Sequence, residues 1–159
     1  MTRLWGRAPK GQRVAEAKAE GHWQVLTTLG AMSLQGMVAA MTVASATGGD
    51  VFAAFLEQVL CPTLKAGDVV AMDNLSIHKV NRVRELIEGS GARLLYLPPY
   101  SPDLNPIEKA WSKFKQSLRS AKARTREALD LAVTEALKTI TADNALACFR
   151  HCGYGLLQM

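Results

Sequence analysis

Four apolar residues stand in a row between two aspartates, Asp68-Val69-Val70-Ala71-Met72-Asp73, and no other stretch limits the fold so tightly. An unbroken apolar run of strand length suits a central strand covered on both faces. A carboxylate follows it directly. In open sheets with parallel strands, ligands gather at the carboxyl ends of those strands. Asp73 therefore marks the edge at which a site is to be sought.

The flanking segments supply the rest of such a sheet. Trp23 to Met32 and Met37 to Ser45 are rich in Val, Thr, Leu and Met, and Ser33-Leu34-Gln35-Gly36 between them suits a hairpin connection. Thr47-Gly48-Gly49-Asp50 breaks the pattern. Asp50 is the expected N-cap of a helix carrying Phe52, Phe55, Leu56, Val59 and Leu60, which Pro62 limits. His78 to Glu88 reads as a second helix, with Val80, Val83, Leu86 and Ile87 on one face and Gly89-Ser90-Gly91 closing it. Arg93 to Leu97 is a strand. Pro98 to Asp103 is a loop, because proline brings no donor to a sheet ladder. A helix starts near Asn105 with Ile107, Ala110, Trp111, Phe114 and Leu118 on its apolar face. Thr125 caps a last long helix carrying Leu129, Val133, Ala136, Leu137 and Ile140. An antiparallel pair followed by strand–helix alternation predicts one mixed α/β sheet with helices on its faces.

Composition bounds the class. The 159 residues, 48% of them hydrophobic, suit one domain spanning 1–159, with a basic arm at 1–21 and a helical region at 125–159. Three cysteines exclude a disulfide framework and fit a reducing cytoplasm. No apolar run follows the first charged residues, so no secretory signal is expected. Residues 21–49 carry no charge, but Gln24, Thr27, Thr28, Ser33, Gln35 and Gly36 interrupt them, and two strands explain the stretch better than a membrane helix. Nineteen Lys and Arg against fourteen Asp and Glu leave a formal charge of +5, a weak pointer to a polyanionic partner.

Two carboxylates stand out. Alone, each has a structural account. Asp73 can cap the turn Asp73-Asn74-Leu75-Ser76. Glu108, third in a helix that Asn105 caps and Pro106 opens, can reach back to the cap amide. Together they lie at element ends on one edge of the expected sheet. Hard divalent cations take carboxylate and water oxygens. Two such ions about 3.5–4 Å apart can serve phosphoryl transfer. That chemistry normally draws on more than two carboxylates.

Val69-Val70-Ala71-Met72-Asp73-Asn74-Leu75-Ser76-Ile77-His78-Lys79 resembles the second acidic motif of DDE transposases of the mariner-related insertion-sequence group. Leu97-Pro98-Pro99-Tyr100-Ser101-Pro102-Asp103-Leu104-Asn105-Pro106-Ile107-Glu108 resembles the third, and 34 residues separate Asp73 from Glu108, as in that group's pattern. The similarity begins at Arg3-Leu4-Trp5-Gly6-Arg7-Ala8-Pro9-Lys10-Gly11 and covers most of the chain. It implies an RNase H-like mixed sheet, and Mg²⁺- or Mn²⁺-dependent cleavage and transfer of DNA strands at element ends. Asp73 and Glu108 would be the catalytic metal ligands, with Asn74, His78 and Asn105 in support.

The chain departs from the family at one point. The family's first catalytic Asp lies on a first strand that precedes the Arg3-Leu4-Trp5-Gly6 segment, and no acidic residue occurs before Glu16. That strand runs in mid-sheet, between the second and the fourth. Its absence implies a weakened monomer, a rearranged N-terminal segment, or pairing with another chain: a homo-oligomer, or the missing N-terminal part of the transposase. The helix-turn-helix region expected upstream is absent too.

Charge provides a second constellation. Lys109, Lys113, Lys115, Arg119, Lys122, Arg124 and Arg126 fall within 18 residues with no acid among them, and Lys79 extends the patch. Such residues bind DNA phosphates with little regard to sequence. Cys148 and Cys152 beside His151 hint at zinc but lack an evident fourth ligand. Trp5, Trp23 and Tyr100 find no place in this scheme. The expectation is a transposase catalytic-domain fragment, cytoplasmic and on the bacterial nucleoid when bound, inactive alone for want of a ligand. The alternative is a non-catalytic fragment that binds DNA or a transposase.

Overall fold

The computed structural model describes residues 7–14 and 25–155. Of the expected arm, Arg7, Lys10 and Arg13 are exposed in irregular backbone, while Arg3, Trp5, Glu16, Glu20 and Trp23 lie outside the described residues.

The hairpin forms as expected. Strands β1 (Thr27–Ser33) and β2 (Gly36–Val43) pair antiparallel around Leu34-Gln35. Gly36 permits the join for two reasons: its φ is 108°, and a Cβ there would sit 2.7 Å from the Ile140 carbonyl oxygen. Helix α1 (Gly49–Phe55) follows. Gly48, rather than Asp50, holds the N-cap position, and no side chain caps the helix. Asp50 instead lies inside the first turn, where its charge faces the positive end of the helix dipole. The helix runs on through a π-helical turn (Leu56–Leu60) into a 3-10 turn (Cys61–Thr63) containing Pro62.

Strands β3 (Val69–Met72) and β4 (Arg93–Tyr96) pair in parallel, with Val70 opposite Leu94 and Met72 opposite Tyr96. Those four side chains pack on α1 and on α2 (Asn81–Gly89), joining Phe52, Phe55, Leu56, Val83 and Ile87 in one core. Covering on both faces is not found. Val69 is 47% and Leu95 51% exposed, because the strand alternation turns them, with Ala71, to a face that no helix among the described residues covers. The helix expected over His78 to Glu88 also starts later. Ser76–Lys79 is a 3-10 turn, Val80 is extended with φ −67° and ψ 136°, and only then does α2 begin.

The C-terminal part is helical. Helix α3 (Pro106–Ala121) has Asn105 at its N-cap position without a side-chain cap bond, so the capping account of Glu108 is not realised. The last helix read from the sequence, carrying Leu129 through Ile140, ends at Lys138, and a further helix follows it. Helix α4 (Arg126–Lys138) is capped by Thr125, whose hydroxyl accepts from the Ala128 amide at 3.2 Å. Thr141 and Asn144 then form a capping box that starts α5 (Ala142–His151). These helices share a second core of Ala110, Phe114, Leu118, Val133, Ala136 and Ile140. The hairpin serves both cores: Leu29, Ala31 and Met41 pack on the first, Leu26, Met32 and Met37 on the second.

A mixed sheet lacking its first central strand is what the resemblance implies, and among the described residues two two-stranded sheets are present. The antiparallel pair and the parallel pair are both as anticipated, but among the described residues no strand joins β1 to β3. The mixed α/β class holds, with the sheet interrupted between its second- and fourth-strand equivalents. No helix among the described residues is long and apolar enough to cross a membrane.

Candidate active site

The interruption in the sheet is a cleft of about 1000 Å³. Thr28 to Ser33 of β1 line one side and Val69 to Met72 of β3 another, with Phe52, Phe55, Trp111 and Phe149 filling the walls. Asp73, His78, Asn105 and Glu108 all line this same cleft. The structure thus brings together four of the five residues read as the chemical centre. Asn74 is half-buried next to Asp73 but does not line the cleft.

Asp73 is held. Its Oδ1 lies 2.7 Å from Nδ1 of His78 and accepts from the Leu75 amide at 3.3 Å. Asp73 thus makes the turn-capping bond and also lines the cleft. The His78 side chain is only 14% exposed, against 40% for Asp73. Its ring packs against Phe52 at a centroid distance of 4.5 Å. Its carbonyl accepts the Tyr96 hydroxyl at 2.6 Å, which ties the 3-10 turn to the end of β4. Asp73 thus has one oxygen fixed toward His78, on a side chain that is 40% exposed and lines the cleft.

Glu108 is exposed on the first turn of α3. The loop that delivers it leaves the sheet at Leu97, whose amide donates to the Met72 carbonyl at 2.8 Å, level with the residue before Asp73. The loop returns through a 3-10 turn (Pro102–Leu104) to Asn105. Tyr154, beyond α5, pins this return: its hydroxyl donates to the Leu104 carbonyl at 2.9 Å, and its ring meets Phe149 edge-on at 5.5 Å. Burial, and secondarily Cys152, push the Tyr154 phenol above its ordinary value, so it stays a donor. Sequence reasoning missed Phe52, Phe149 and Tyr154 at the site. The first was read as core alone, and nothing in the sequence around Phe149 or Tyr154 signals a link to residue 104.

The basic residues sort by face. Glu108, Ser112, Lys115 and Arg119 recur at steps of 4, 3 and 4 along α3, which is one helical stripe. Lys113 lies off that stripe, and its ammonium donates to the Thr139 carbonyl at 2.6 Å and to Oδ1 of Asn144, bracing α3 against the start of α5. Lys79, Lys109, Lys115 and Lys122 are exposed and Arg119 half-buried.

Two oxygen-bearing carboxylates with free lone pairs on one cleft are donors of the kind a hard divalent ion takes. Two are few. Among the described residues, no three His, Cys, Asp or Glu side chains form a group able to hold a metal ion, Cys148, His151 and Cys152 included.

Comparison with known proteins bears on this geometry. The family model described as "DDE superfamily endonuclease" matches residues 1–130. Among solved structures, a chain in the "Crystal structure of the Mos1 Strand Transfer Complex" is similar, with a TM-score of 0.72 at 15% identity. The match covers 96% of this chain and 46% of that one, so the chain spans about half the length of its structural relative. No curated protein matches it.

Proposed function

Because the chain belongs to the DDE superfamily of endonucleases and has the transposase catalytic-domain fold, we propose that it works on DNA as a transposase catalytic domain, cutting and joining strands at the ends of an insertion sequence. The observation that carries this reading is that Asp73 and Glu108, from separate elements, line one cleft. The DNA would be that of a bacterial nucleoid.

Asp73 and Glu108 would hold the divalent ion, Mg²⁺ or Mn²⁺. Such an ion, when bound, supplies charge stabilisation at phosphate oxygens and a more acidic attacking hydroxyl. The chain's own residues do the positioning. His78, wedged against Phe52, orients Asp73. The Leu75 amide holds the same oxygen. Tyr154 steadies the loop before Glu108. Lys115 and Arg119, collinear with Glu108, give a phosphate backbone a track toward the site, and Lys79, Lys109 and Lys122 extend the field. The third carboxylate would come from an extended segment entering the cleft between β1 and β3, contributed by the N-terminal part of the transposase or by a second copy.

A second reading has its own support. The two carboxylates lack a third partner among the described residues. A chain in that state would bind DNA or a transposase without cutting.

Paramagnetic broadening by Mn²⁺ separates the readings from one another. The amide signals of Asp73, Leu75 and Glu108 should broaden together at millimolar Mn²⁺, and either Asp73→Asn or Glu108→Gln should remove the effect at both positions. Broadening that one substitution leaves untouched at the other position would sink the shared-ion site. Fusing an Asp-bearing strand ahead of residue 1 should then produce Mn²⁺-dependent nicking that both substitutions abolish. Binding without nicking in that fusion favours the second reading.

A further inference from the structure

Gly30 stands in the middle of β1, where a glycine weakens a strand because it has no side chain to pack. Its backbone is outside the left-handed region, so the conformation there admits any residue. What the glycine provides is space. A Cβ at this position would sit 3.0 Å from Cη2 and 3.2 Å from Cζ2 of Trp111, and 2.6 Å from Cε of Met37. The six-membered edge of the indole therefore rests on bare strand.

The two obstacles differ in what they can do. The Met37 methyl ends a flexible, unbranched side chain and can turn away. The indole is a rigid plate. It stands edge-on to Phe114 at a centroid distance of 5.3 Å and packs on the core that α3 shares with α4. It gives way only if α3 moves. Glu108 lies three residues before Trp111, on the same side of that helix. Gly30, Glu108 and Trp111 all line the cleft. Whatever sets the stand-off between the indole and β1 therefore sets where Glu108 meets the cleft.

We propose that Trp111, seated on Gly30, is a positioning residue for Glu108: the contact fixes how far α3 stands from the hairpin, and so where the carboxylate meets the ion it shares with Asp73. This rests on the shared-ion reading above and adds to it the device that places the second ligand. Asp73 is held separately, by His78 and the Leu75 amide. A disturbance at Gly30 therefore reaches Glu108 and not Asp73. One methyl is enough of a disturbance. Carbon atoms pack at about 3.5–4.0 Å, so a Cβ at 3.0 Å from the ring pushes it by about 0.5 Å or more. A ligand set tolerates misplacement of only about 0.5 Å.

The test follows the Asp73 and Glu108 amide signals of the full 159-residue chain, without metal and through a Mn²⁺ titration, alongside thermal melts. In the parent both signals should broaden together. Gly30→Ala should shift the metal-free Glu108 signal, leave that of Asp73 in place, and raise the Mn²⁺ concentration needed to broaden both by about ten-fold. Trp111→Phe shortens the plate and should weaken Mn²⁺ binding too. In Gly30→Ala combined with Trp111→Phe, the new methyl fills the space the indole gave up, so affinity should recover above that of either single variant. A merely structural contact would lower the melting temperature and leave the Mn²⁺ affinity of the folded chain alone. Should Gly30→Ala fail to fold, adding Met37→Ala removes the closer obstacle and keeps the indole contact, and the same loss is expected. An unchanged Mn²⁺ affinity in the folded alanine variant, or a combined variant weaker than both singles, overturns the positioning role while leaving the shared ion intact. If the parent does not broaden at both positions, the shared-ion reading falls and the positioning role falls with it.

Discussion

Nδ1 of His78 sits 2.7 Å from Oδ1 of Asp73, with the imidazole packed against the ring of Phe52. A carboxylate at the end of β3 thus has its rotamer set by a ring that is itself packed. His78→Ala would leave Asp73 free to turn and would open a gap beside Phe52. The expected outcome is Mn²⁺ affinity lower by about ten-fold, in line with loss of an outer-shell partner, together with a stability loss of about 1–3 kcal/mol. His78→Asn keeps a polar partner and should recover part of the affinity. Titration of Mn²⁺ broadening and thermal melts read the two effects separately. Unchanged affinity in His78→Ala would show that Asp73 does not depend on the ring.

The stripe of Glu108, Ser112, Lys115 and Arg119 separates two classes of lysine on α3. Reversing charge at Lys115 and Arg119 together should lower affinity for duplex DNA and make the salt dependence shallower by about two phosphate contacts. Lys113→Met should leave that slope alone. It removes the donor to the Thr139 carbonyl and to Asn144, and should instead lower stability by about 1–2 kcal/mol. Anisotropy at several salt concentrations, paired with melts, checks both. A slope change in Lys113→Met would return that residue to the DNA face.

Much of the architecture was legible because it is local. Strand-forming composition and a turn-length connection marked the hairpin. A short apolar run marked β3, and threonine marked the start of α4. Signals fail where the decision is tertiary. Val69 read as covered because an unbroken apolar run suits a central strand, yet it is exposed, as is Leu95 on the paired strand, and among the described residues no further strand pairs there. Helix α5 was not singled out, because its start rests on the reciprocal cap between Thr141 and Asn144. At the site, Asp73 and Glu108 were readable from their motifs. The roles of Phe52 and Tyr154 depend on folding across 26 and 50 positions, to His78 and Leu104 respectively, and no spacing rule reaches that far.

Tyr154 makes a pH prediction with a definite sign. Its phenol is raised above the ordinary value of about 10, so the folded state favours the protonated form. The stabilisation is present in full below the unfolded value and is lost as pH rises through the raised one. Tyr154→Phe removes the donor to Leu104 and should cost about 0.5–1.5 kcal/mol at neutral pH, or a few degrees in melting temperature. The gap between parent and variant should narrow above about pH 10. Melts from pH 7 to 11 follow it. A gap that widens with pH would mean that the hydroxyl is not the donor.

The two free strand edges make the last prediction. Among the described residues β1 pairs only with β2 and β3 only with β4, so each leaves a row of backbone donors and acceptors unpaired, and residues of both strands line the cleft. The residues beside those edges are apolar, and Val69 and Leu95 stand open. An extended segment of five to seven residues, apolar on both faces and with one Asp at the end next to Asp73, would pair with both edges and cover them. This is strand addition made on two sides at once. The gain joins backbone bonds of about 0.5–1.5 kcal/mol each to apolar burial, and even a few such terms amount to several degrees in melting temperature. A synthetic peptide of this design, added to the chain, should raise the melting temperature by about 5 °C or more in a dose-dependent way. It should also protect the amides of residues 28–33 and 69–72 from hydrogen exchange. A scrambled peptide with a proline at its centre should do neither, because it cannot supply the ladder. If the designed peptide leaves melting and exchange unchanged, the cleft is not a strand site, and the third carboxylate must reach Asp73 and Glu108 by another route.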